Sequence, residues 1–270
     1  MVQETLVIPL YGRKLCTEQF PNLFRNDKAV ELIERIDYDF SALEKCAKST
    51  AYRFGALEVA MRETDLMIEA KDYLAAHPFV ALVNLGCGLD QTAENCDNGT
   101  CKIYNLDLPD VIAVRNALLP ESGRVKNIAA DLNDLAWFDA IDAENGVCFL
   151  AAGVFYYFKT GQIRRLLNAM AKRFPGGRLV FDTANRRAVK IMLKTWVKEA
   201  GITLISDYFS VDSIETDILP WMQQAKVSSR GYMLGYNDLK DPSVPGLFRL
   251  MAKLGDRLMK MQIVRMDFTE

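Results

Sequence analysis

The sequence contains a single histidine, His77, among 270 residues. Histidine is the most frequent general base in enzymes and a common zinc ligand, so either role has one candidate residue in this chain. The six cysteines have no regular spacing and form no C-x-x-C pair. We therefore expect no Cys/His zinc site and no other metal, and we expect reduced thiols in a cytoplasmic protein.

The sequence also lacks a strong excess of charge and a long apolar run. The 33 basic and 35 acidic residues give a net charge of −2, which does not favour a general phosphate-binding surface. No uninterrupted apolar segment approaches the roughly 20 residues of a membrane-spanning helix, and residues 1–5 do not have the pattern of a signal peptide. Neither a nucleic acid nor a membrane is expected as a partner.

What the chain does contain is a change of pattern near residue 79. The pattern of residues 1–78 predicts mostly helices. Asp27 would cap one helix, and a second helix would cover about 54–76. From residue 79, short apolar runs alternate with helical patterns, which is typical of a doubly wound α/β sheet. The expected strands are 79–85, 102–106, 125–129, 147–151, 179–181, 202–205 and a terminal strand within 261–268.

Further helices are expected from Pro109, from Thr160, which would act as the cap, and through Trp196. Residues 214–225 look helical, and 232–236 look extended. No flexible linker is evident, so residues 1–270 are expected to form one domain. It would comprise a helical extension (1–78), an α/β core (79–205), an insertion (206–258) and the last strand (259–270).

The first strand ends in two glycines, Gly86 and Gly88. Glycines here allow a tight turn in which the backbone can approach a ligand closely. The dinucleotide-binding pattern G-x-G-x-x-G requires a third glycine, and this chain has Gln91 instead. A plain strand-to-helix turn is the alternative.

Two aspartates follow the next two strands. Asp107 comes about 20 residues after the glycine turn, a spacing at which a carboxylate can accept both hydroxyls of a ribose. Asp131 could accept from an exocyclic amine such as that of adenine. Together they indicate a ligand that contains adenosine, although Asp107 could instead cap the following helix and Asp131 could serve a turn.

Several motifs together resemble the leucine carboxyl methyltransferase family, in particular its bacterial branch of tetracenomycin-type polyketide O-methyltransferases. The motifs are Leu6–Arg13 (LVIPLYGR), Val83–Asp90 (VNLGCGLD), Leu106–Ile112 (LDLPDVI), Ala130–Leu132 (ADL) and Arg173–Gly176 (RFPG). The resemblance extends from residue 6 to about residue 182. It implies a Rossmann-like class I methyltransferase sheet of seven strands, the last antiparallel, with a C-terminal insertion that acts as a lid over the substrate.

The resemblance also implies S-adenosylmethionine as cofactor, S-adenosylhomocysteine as product, and roles for individual residues. In the family an arginine at the place of Arg62 pairs with the cofactor's carboxylate. The implied cofactor-binding set is Arg62, Gly86, Gly88, Asp107 (ribose), Leu108 (adenine ring), Asp131 and Leu132 (adenine amine) and Ala151. Tyr157 matches a frequent tyrosine and is the catalytic candidate. Alternatively, Arg62 is a solvated helix charge paired with Glu58 or Asp65, and Tyr157 is a packing residue.

The chain departs from the family pattern at two places. It has Gln91 where the family usually has threonine, and Ala152 where the family usually has glutamate. A non-catalytic S-adenosylmethionine-binding protein is therefore one alternative, and a nucleotide-dependent oxidoreductase on a similar sheet is another.

The position of His77 bears on the methyl acceptor, which is expected to be a small molecule. This histidine precedes the first strand and so belongs to the amino end of the sheet, away from the ligand. A carboxylate acceptor is already ionised at neutral pH, whereas an alcohol or ordinary phenol benefits from a general base. We therefore expect O-methylation of a carboxylate or an acidic phenol, without a histidine base. The sequence gives no oligomeric state.

Overall fold

The computed structural model describes residues 4–192 and 208–269. The helices are α1 Glu4–Gln19, α2 Asp27–Arg35, α3 Ser41–Cys46, α4 Thr50–Ala76, α5 Pro109–Leu118, α6 Thr160–Arg173, α7 Arg186–Met192, α8 Ile214–Asp217 and α9 Gly246–Leu254. The strands are β1 Ala81–Leu85, β2 Lys102–Asp107, β3 Val125–Ala129, β4 Val147–Ala151, β5 Arg178–Thr183, β6 Ala225–Gly231 and β7 Gln262–Phe268. A π-helical turn, Gly255–Met259, connects α9 to β7.

These strands form one sheet in the order β3-β2-β1-β4-β5-β7-β6. Strands β1 to β5 pair in parallel, and β7 is antiparallel to both of its neighbours. Every residue of β1, β4 and β5 is buried, as expected from their continuous apolar runs. The predicted seven-stranded sheet with an antiparallel last strand is confirmed.

The strand order reverses between β1 and β4, and this reversal positions the site. The loop that follows β1 packs on one face of the sheet, and α6, which follows β4, packs on the other, so a crevice opens beyond the carboxyl ends of these strands. In the register, Leu85 lies opposite Leu106 of β2 and opposite Ala151 of β4. The residues that follow these three strands therefore meet at one edge of the sheet.

Helices cover both faces of the sheet. On one face, Leu82 and Leu150 pack in a cluster with Leu57 and Met61 of α4. On the other face, the alternate strand positions pack against α6. Helix α4 of the N-terminal extension forms a layer on the first of these faces, because its 27 residues carry apolar side chains along the whole length.

Three helix starts differ from the sequence prediction. Asn26, not Asp27, caps α2, because its side chain accepts from the Ala29 N–H at 2.9 Å. Ser49 caps α4, which therefore begins at Thr50. Thr160 is the first residue of α6 and does not cap it; Lys159 precedes the helix, and its N–H donates to the Gln162 side chain at 2.9 Å.

The C-terminal region differs more strongly from its prediction. The helix expected over 214–225 is limited to the single turn α8, and residues 232–236 form turns instead of a strand. Residues 225–231 form β6, because they pair along their whole length with β7 and complete the edge of the sheet. The strand expected at 202–205, and the later part of the helix expected through Trp196, lie outside the described residues.

Within residues 4–192 and 208–269, no helix combines the length and the apolar character that crossing a membrane requires.

Candidate functional site

A cavity of about 1240 Å³ lies beyond the carboxyl ends of the parallel strands. The residues that follow β1, β2, β3 and β4 form its floor, and α1 and α4 form the opposite wall. Met259 and Met261, which lead into β7, close one side. This is the crevice that the strand order predicts.

The glycine turn after β1 adopts a left-handed backbone conformation that residues other than glycine rarely adopt. Gly86 and Gly88 have φ values of 61° and 49°. A Cβ atom at Gly86 would lie 2.6 Å from a methyl group of Val154, and one at Gly88 would lie 3.2 Å from Leu6. Both glycines line the cavity, so the turn presents bare backbone to a ligand.

Asp107 lies beside this turn. Its Oδ2 accepts from the Gly88 N–H at 2.8 Å, and its Oδ1 accepts from the Leu108 N–H at 2.7 Å. Burial raises the pKa of Asp107, while these two hydrogen bonds act in the opposite direction. The side chain does not cap α5, whose N-cap residue is Leu108. Each carboxylate oxygen keeps a lone pair for a further donor, such as a ribose hydroxyl.

The residues around the second aspartate also line the cavity. Asp131 is exposed, and its Oδ1 accepts from the backbone and the side chain of Asn133. Asp131 therefore stabilises the turn that follows β3, which was the alternative role given above. Its Oδ2 accepts no hydrogen bond from the described residues. Leu132 is buried, whereas 47% of Leu108 is exposed. An apolar side chain exposed at this edge could cover one face of a flat ring.

Arg62 reaches the cavity from α4 and pairs with a carboxylate that the sequence analysis did not identify. Its Nη1 lies 3.2 Å from Oδ2 of Asp182, at the end of β5. Asp182 also accepts from the Gly153 N–H at 2.6 Å and from the Tyr156 hydroxyl at 3.1 Å. Arg62 is therefore not a solvated charge paired along its own helix. Its Nη2 and Nε donate to no described residue, so they are available to an anionic group.

The segment after β4 contains the remaining predicted residues. Ala151 is buried within β4 and does not line the cavity; Ala152 and Gly153 line it instead. Tyr157 also lines the cavity, and 43% of its surface is exposed, so it is not a packing residue. Tyr156, with no assigned role in the sequence analysis, is buried against Asp182.

A second arginine organises the wall of the cavity. Arg13 of α1 donates from Nε to Glu63 at 2.6 Å and from Nη2 to Asp90. Asn26 and Asn95 also donate to Glu63, and Asn84 donates to Asp90. Burial alone would raise the pKa of Asp90, but Arg13 and the Thr92 N–H lower it below its ordinary value. Arg13 and Asp90 both lie in motifs that carry the family resemblance. The sequence could therefore have drawn attention to these two residues, but their pairing was not predicted.

Glu58 lies one helical turn before Arg62 and also lines the cavity. Val189, Met192, Met259 and Met261 line the same cavity and contribute apolar surface to it. Burial raises the pKa of Glu58 to about 7; Arg62 acts against this increase and Asp256 adds to it.

Two further observations concern metal ligands and the single histidine. Among the described residues, no group of three or more His, Cys, Asp and Glu side chains could hold a metal ion. His77 follows α4, and its ring lies 4.5 Å from the ring of Tyr73. It is not among the residues that line the cavity.

Comparison with known proteins gives a consistent result. Residues 12–171 match the model of the leucine carboxyl methyltransferase family. A stretch of 182 residues is 31% identical to the tetracenomycin polyketide synthesis O-methyltransferase TcmP of Streptomyces glaucescens. It covers 67% of this chain and 65% of TcmP, which is less than two thirds of that relative's length.

Solved structures resemble this one in fold. A candidate methyltransferase from Thermobifida fusca has a TM-score of 0.58 and 14% identity over 80% of this chain and 83% of its own. A DUF574 family protein from Streptomyces avermitilis has a TM-score of 0.55 and 12% identity over 77% of this chain and 82% of its own. These likenesses, together with the strand order, confirm the predicted class I methyltransferase fold.

Proposed function

Because this chain belongs to the leucine carboxyl methyltransferase family, we propose that it transfers a methyl group from S-adenosylmethionine to an oxygen of a small molecule. One observation carries the proposal: the glycine turn, Asp107 and the free donors of Arg62 all line a single cavity at the strand-order reversal. The named function of TcmP supports oxygen as the acceptor atom.

The described residues fit the cofactor. Gly86 and Gly88 have no side chains, so their backbone can approach the cofactor closely. Asp107 has free lone pairs for the ribose hydroxyls, and Leu108 is exposed for packing on adenine. Asp131, with Leu132 beside it, would accept a hydrogen bond from the adenine amine. Arg62 would hold the amino-acid carboxylate through Nη2 and Nε.

These assignments divide the cavity into two parts. The cofactor part follows β1, β2 and β3, and the acceptor part lies near β4, β5 and α7, where Tyr157 and the methionines contribute. The sulfonium of S-adenosylmethionine supplies an electrophilic methyl group, so the protein mainly has to position the acceptor oxygen in line with it. We propose a carboxylate or an acidic phenol as acceptor, since the cavity contains no histidine. S-adenosylhomocysteine would be the product.

Calorimetric titration with S-adenosylhomocysteine tests the cofactor assignment. We expect micromolar binding, weakened more than about tenfold, or about 1.4 kcal/mol, by Asp107→Ala. Asp139→Ala is the matched control, because Asp139 is 85% exposed in its side chain and does not line the cavity. No binding by the native chain, or tighter binding of NAD(H), would overturn the proposal.

Methyl transfer needs a separate measurement. The native chain is incubated with radiolabelled S-adenosylmethionine and a set of small carboxylic acids and phenols, and labelled product is counted. Tight binding of S-adenosylhomocysteine without transfer to any of them would favour a non-catalytic binding protein. Ala152, which lines the cavity where the family usually has glutamate, is the feature that would then explain the loss.

A further inference from the structure

One carboxylate in the cavity differs from the others in having no partner. Asp90, Asp107, Asp131 and Asp182 each accept hydrogen bonds from backbone N–H groups or from side chains. The carboxylate of Glu58 accepts none from any described residue. Glu58 is half-buried and lines the cavity, so a molecule bound there can supply the donor that the protein does not.

The position of Glu58 is fixed, although its carboxylate is free. The Tyr232 hydroxyl donates to the backbone carbonyl of Glu58 at 2.7 Å, which ties α4 to the turn after β6. Glu58 and Arg62 are four residues apart and therefore lie on the same face of α4. Both residues line the same cavity. An acceptor held next to Glu58 would therefore lie one helical turn of α4 away from the group that Arg62 binds.

We propose that Glu58 is the general base that takes the proton from the methyl acceptor, and that the acceptor is a phenol. This inference rests on the proposed function and narrows its acceptor class. A carboxylate acceptor has no proton to give at neutral pH, so it would gain nothing from a free base beside it. An anionic acceptor would also be repelled by an ionised Glu58, whereas a neutral phenol can donate a hydrogen bond to it.

The charged and titratable groups that face Glu58 suit this role. Arg62 lies on the same helix, Asp256 lies on the turn Gly255–Met259, and Tyr232 follows β6. Burial and Asp256 favour the protonated form of Glu58, while Arg62 favours the ionised form, which together place the pKa at about 7. A general base works best when its pKa lies near the working pH.

The other groups of the cavity are less suited to take a proton. Asp182 already accepts from Arg62, the Gly153 N–H and Tyr156. Burial raises the pKa of Tyr156, Tyr157 and Tyr232, so each hydroxyl keeps its proton at neutral pH. Tyr157 can instead donate a hydrogen bond and orient the acceptor.

The step balances without a further reactant. The O–H bond of the phenol breaks, and its proton moves to Glu58, which becomes a neutral carboxylic acid. The phenol oxygen forms a bond to the methyl carbon as the bond from that carbon to sulfur breaks, and the electron pair stays on sulfur. The products are the methyl ether and S-adenosylhomocysteine, and Glu58 releases its proton to solvent.

A binding experiment that needs no acceptor tests whether Glu58 titrates beside the sulfonium. S-adenosylmethionine carries the sulfonium charge and S-adenosylhomocysteine does not, while their other ionisable groups are the same. Ionised Glu58 attracts the sulfonium, so the preference for S-adenosylmethionine should rise at least about threefold from about pH 6 to about pH 8. Calorimetry should show no such rise in Glu58→Gln.

Glu34→Gln is the matched control, since Glu34 is exposed on α2 and does not line the cavity. It should keep the native pH dependence. An unchanged pH dependence in Glu58→Gln would overturn the inference while leaving the cofactor assignment intact. Loss of S-adenosylhomocysteine binding by the native chain would instead overturn the proposed function.

Methyl transfer to matched phenols and benzoic acids tests the base itself. Glu58→Gln should slow transfer to phenols by about 100-fold or more, the usual contribution of general base catalysis. The loss should shrink for nitrophenols that are ionised before they bind, and it should be small for benzoates. An equal loss for all acceptors, or faster native transfer to benzoates than to phenols, would contradict the inference.

Discussion

Adjacent residues of α4, Arg62 and Glu63, contribute to two very different environments. Glu63 is buried in a network in which Arg13, Asn26 and Asn95 all donate to its carboxylate. Arg62 has one carboxylate partner, and its remaining donors face the cavity. Both side chains are charged and largely buried, so burial alone does not distinguish a structural charge from one that meets a ligand. The two kinds of charge are distinguished by the number of hydrogen-bond donors and acceptors that the protein leaves unused.

The two arginines of the site show the same contrast. Arg13 lies between two carboxylates and connects α1 to α4 and to the loop after β1. Arg62, on α4, lies close to Gly153, which follows β4, and to Asp182, near the end of β5. We infer that Arg13 maintains the shape of the cavity and that Arg62 binds what enters it.

The largest effect is expected from removing each arginine in turn. Arg13→Met leaves Glu63 and Asp90 buried without their cation, which should lower the free energy of unfolding by about 3–5 kcal/mol. Arg62→Met should lower it less, because Asp182 keeps the Gly153 N–H and the Tyr156 hydroxyl. It should instead reduce S-adenosylhomocysteine affinity more than about tenfold.

Urea unfolding and calorimetry measure the two quantities. Lys14→Met is the control, because Lys14 pairs with Glu18 in a partly exposed position and should cost less than about 1 kcal/mol. If Arg62→Met were as destabilising as Arg13→Met and left binding unchanged, the contrast between the two arginines would be wrong.

A smaller effect is expected from moving Arg62 without removing it. Gly153 has a φ of 70°, and a Cβ atom there would lie 2.6 Å from Nη1 of Arg62. Gly153→Ala should therefore displace the guanidinium and weaken S-adenosylhomocysteine binding about tenfold. Gly99→Ala is a close control: its φ is 86°, its N–H also donates to an aspartate, and a Cβ atom there contacts nothing.

Both alanine variants should lose about 1–2 kcal/mol of stability from the left-handed backbone conformation. Only Gly153→Ala should lose affinity. Equal affinities in the two variants would show that the position of Arg62 does not matter for binding.

A pH-dependent effect is expected from Asp65, a buried carboxylate of α4 that accepts from the Met233 N–H at 2.9 Å and has no hydrogen bond to Oδ1 among the described residues. Burial raises its pKa from 3.8 to about 8. Between these values the folded chain keeps a proton that the unfolded chain has lost. The contribution of Asp65 to stability should therefore fall as the pH rises from about 4 to about 8.

Urea unfolding at about pH 5 and about pH 8 measures this contribution. The stability of the native chain relative to Asp65→Asn should decrease from the lower to the higher pH. Asp97, whose pKa is lowered to about 2 beside Arg124, gives the control. The difference between the native chain and Asp97→Asn should be the same at both values, since both lie above the folded and the unfolded pKa. Parallel behaviour of the two variants would contradict the prediction for Asp65.

The sequence predicted the sheet because its buried strands are continuous apolar runs, a local signal. It also identified Asp107 and the two glycines, since these residues directly follow strands whose carboxyl ends must meet. It did not identify the partner of Arg62, because Asp182 is 120 residues away and the pairing depends on the stacking of α4 on the sheet.

Two further features depended on distant parts of the chain. Residues 225–231 become a strand because β7 is available to pair with them, which no local pattern shows. The sequence analysis named Glu58 only as an alternative ion-pair partner of Arg62. Its distinguishing property is a carboxylate that lines the cavity and accepts no hydrogen bond from the described residues, and this property exists only in the folded chain.

The closeness of Val154 to Gly86 has a consequence for how this protein can evolve or be engineered. A side chain at position 86 would overlap both methyl groups of Val154, so position 86 cannot change while Val154 is present. Smaller residues at position 154 would enlarge the cavity and leave the glycine turn intact. The size of the cavity can therefore change through position 154 in single mutational steps, whereas position 86 is closed to them.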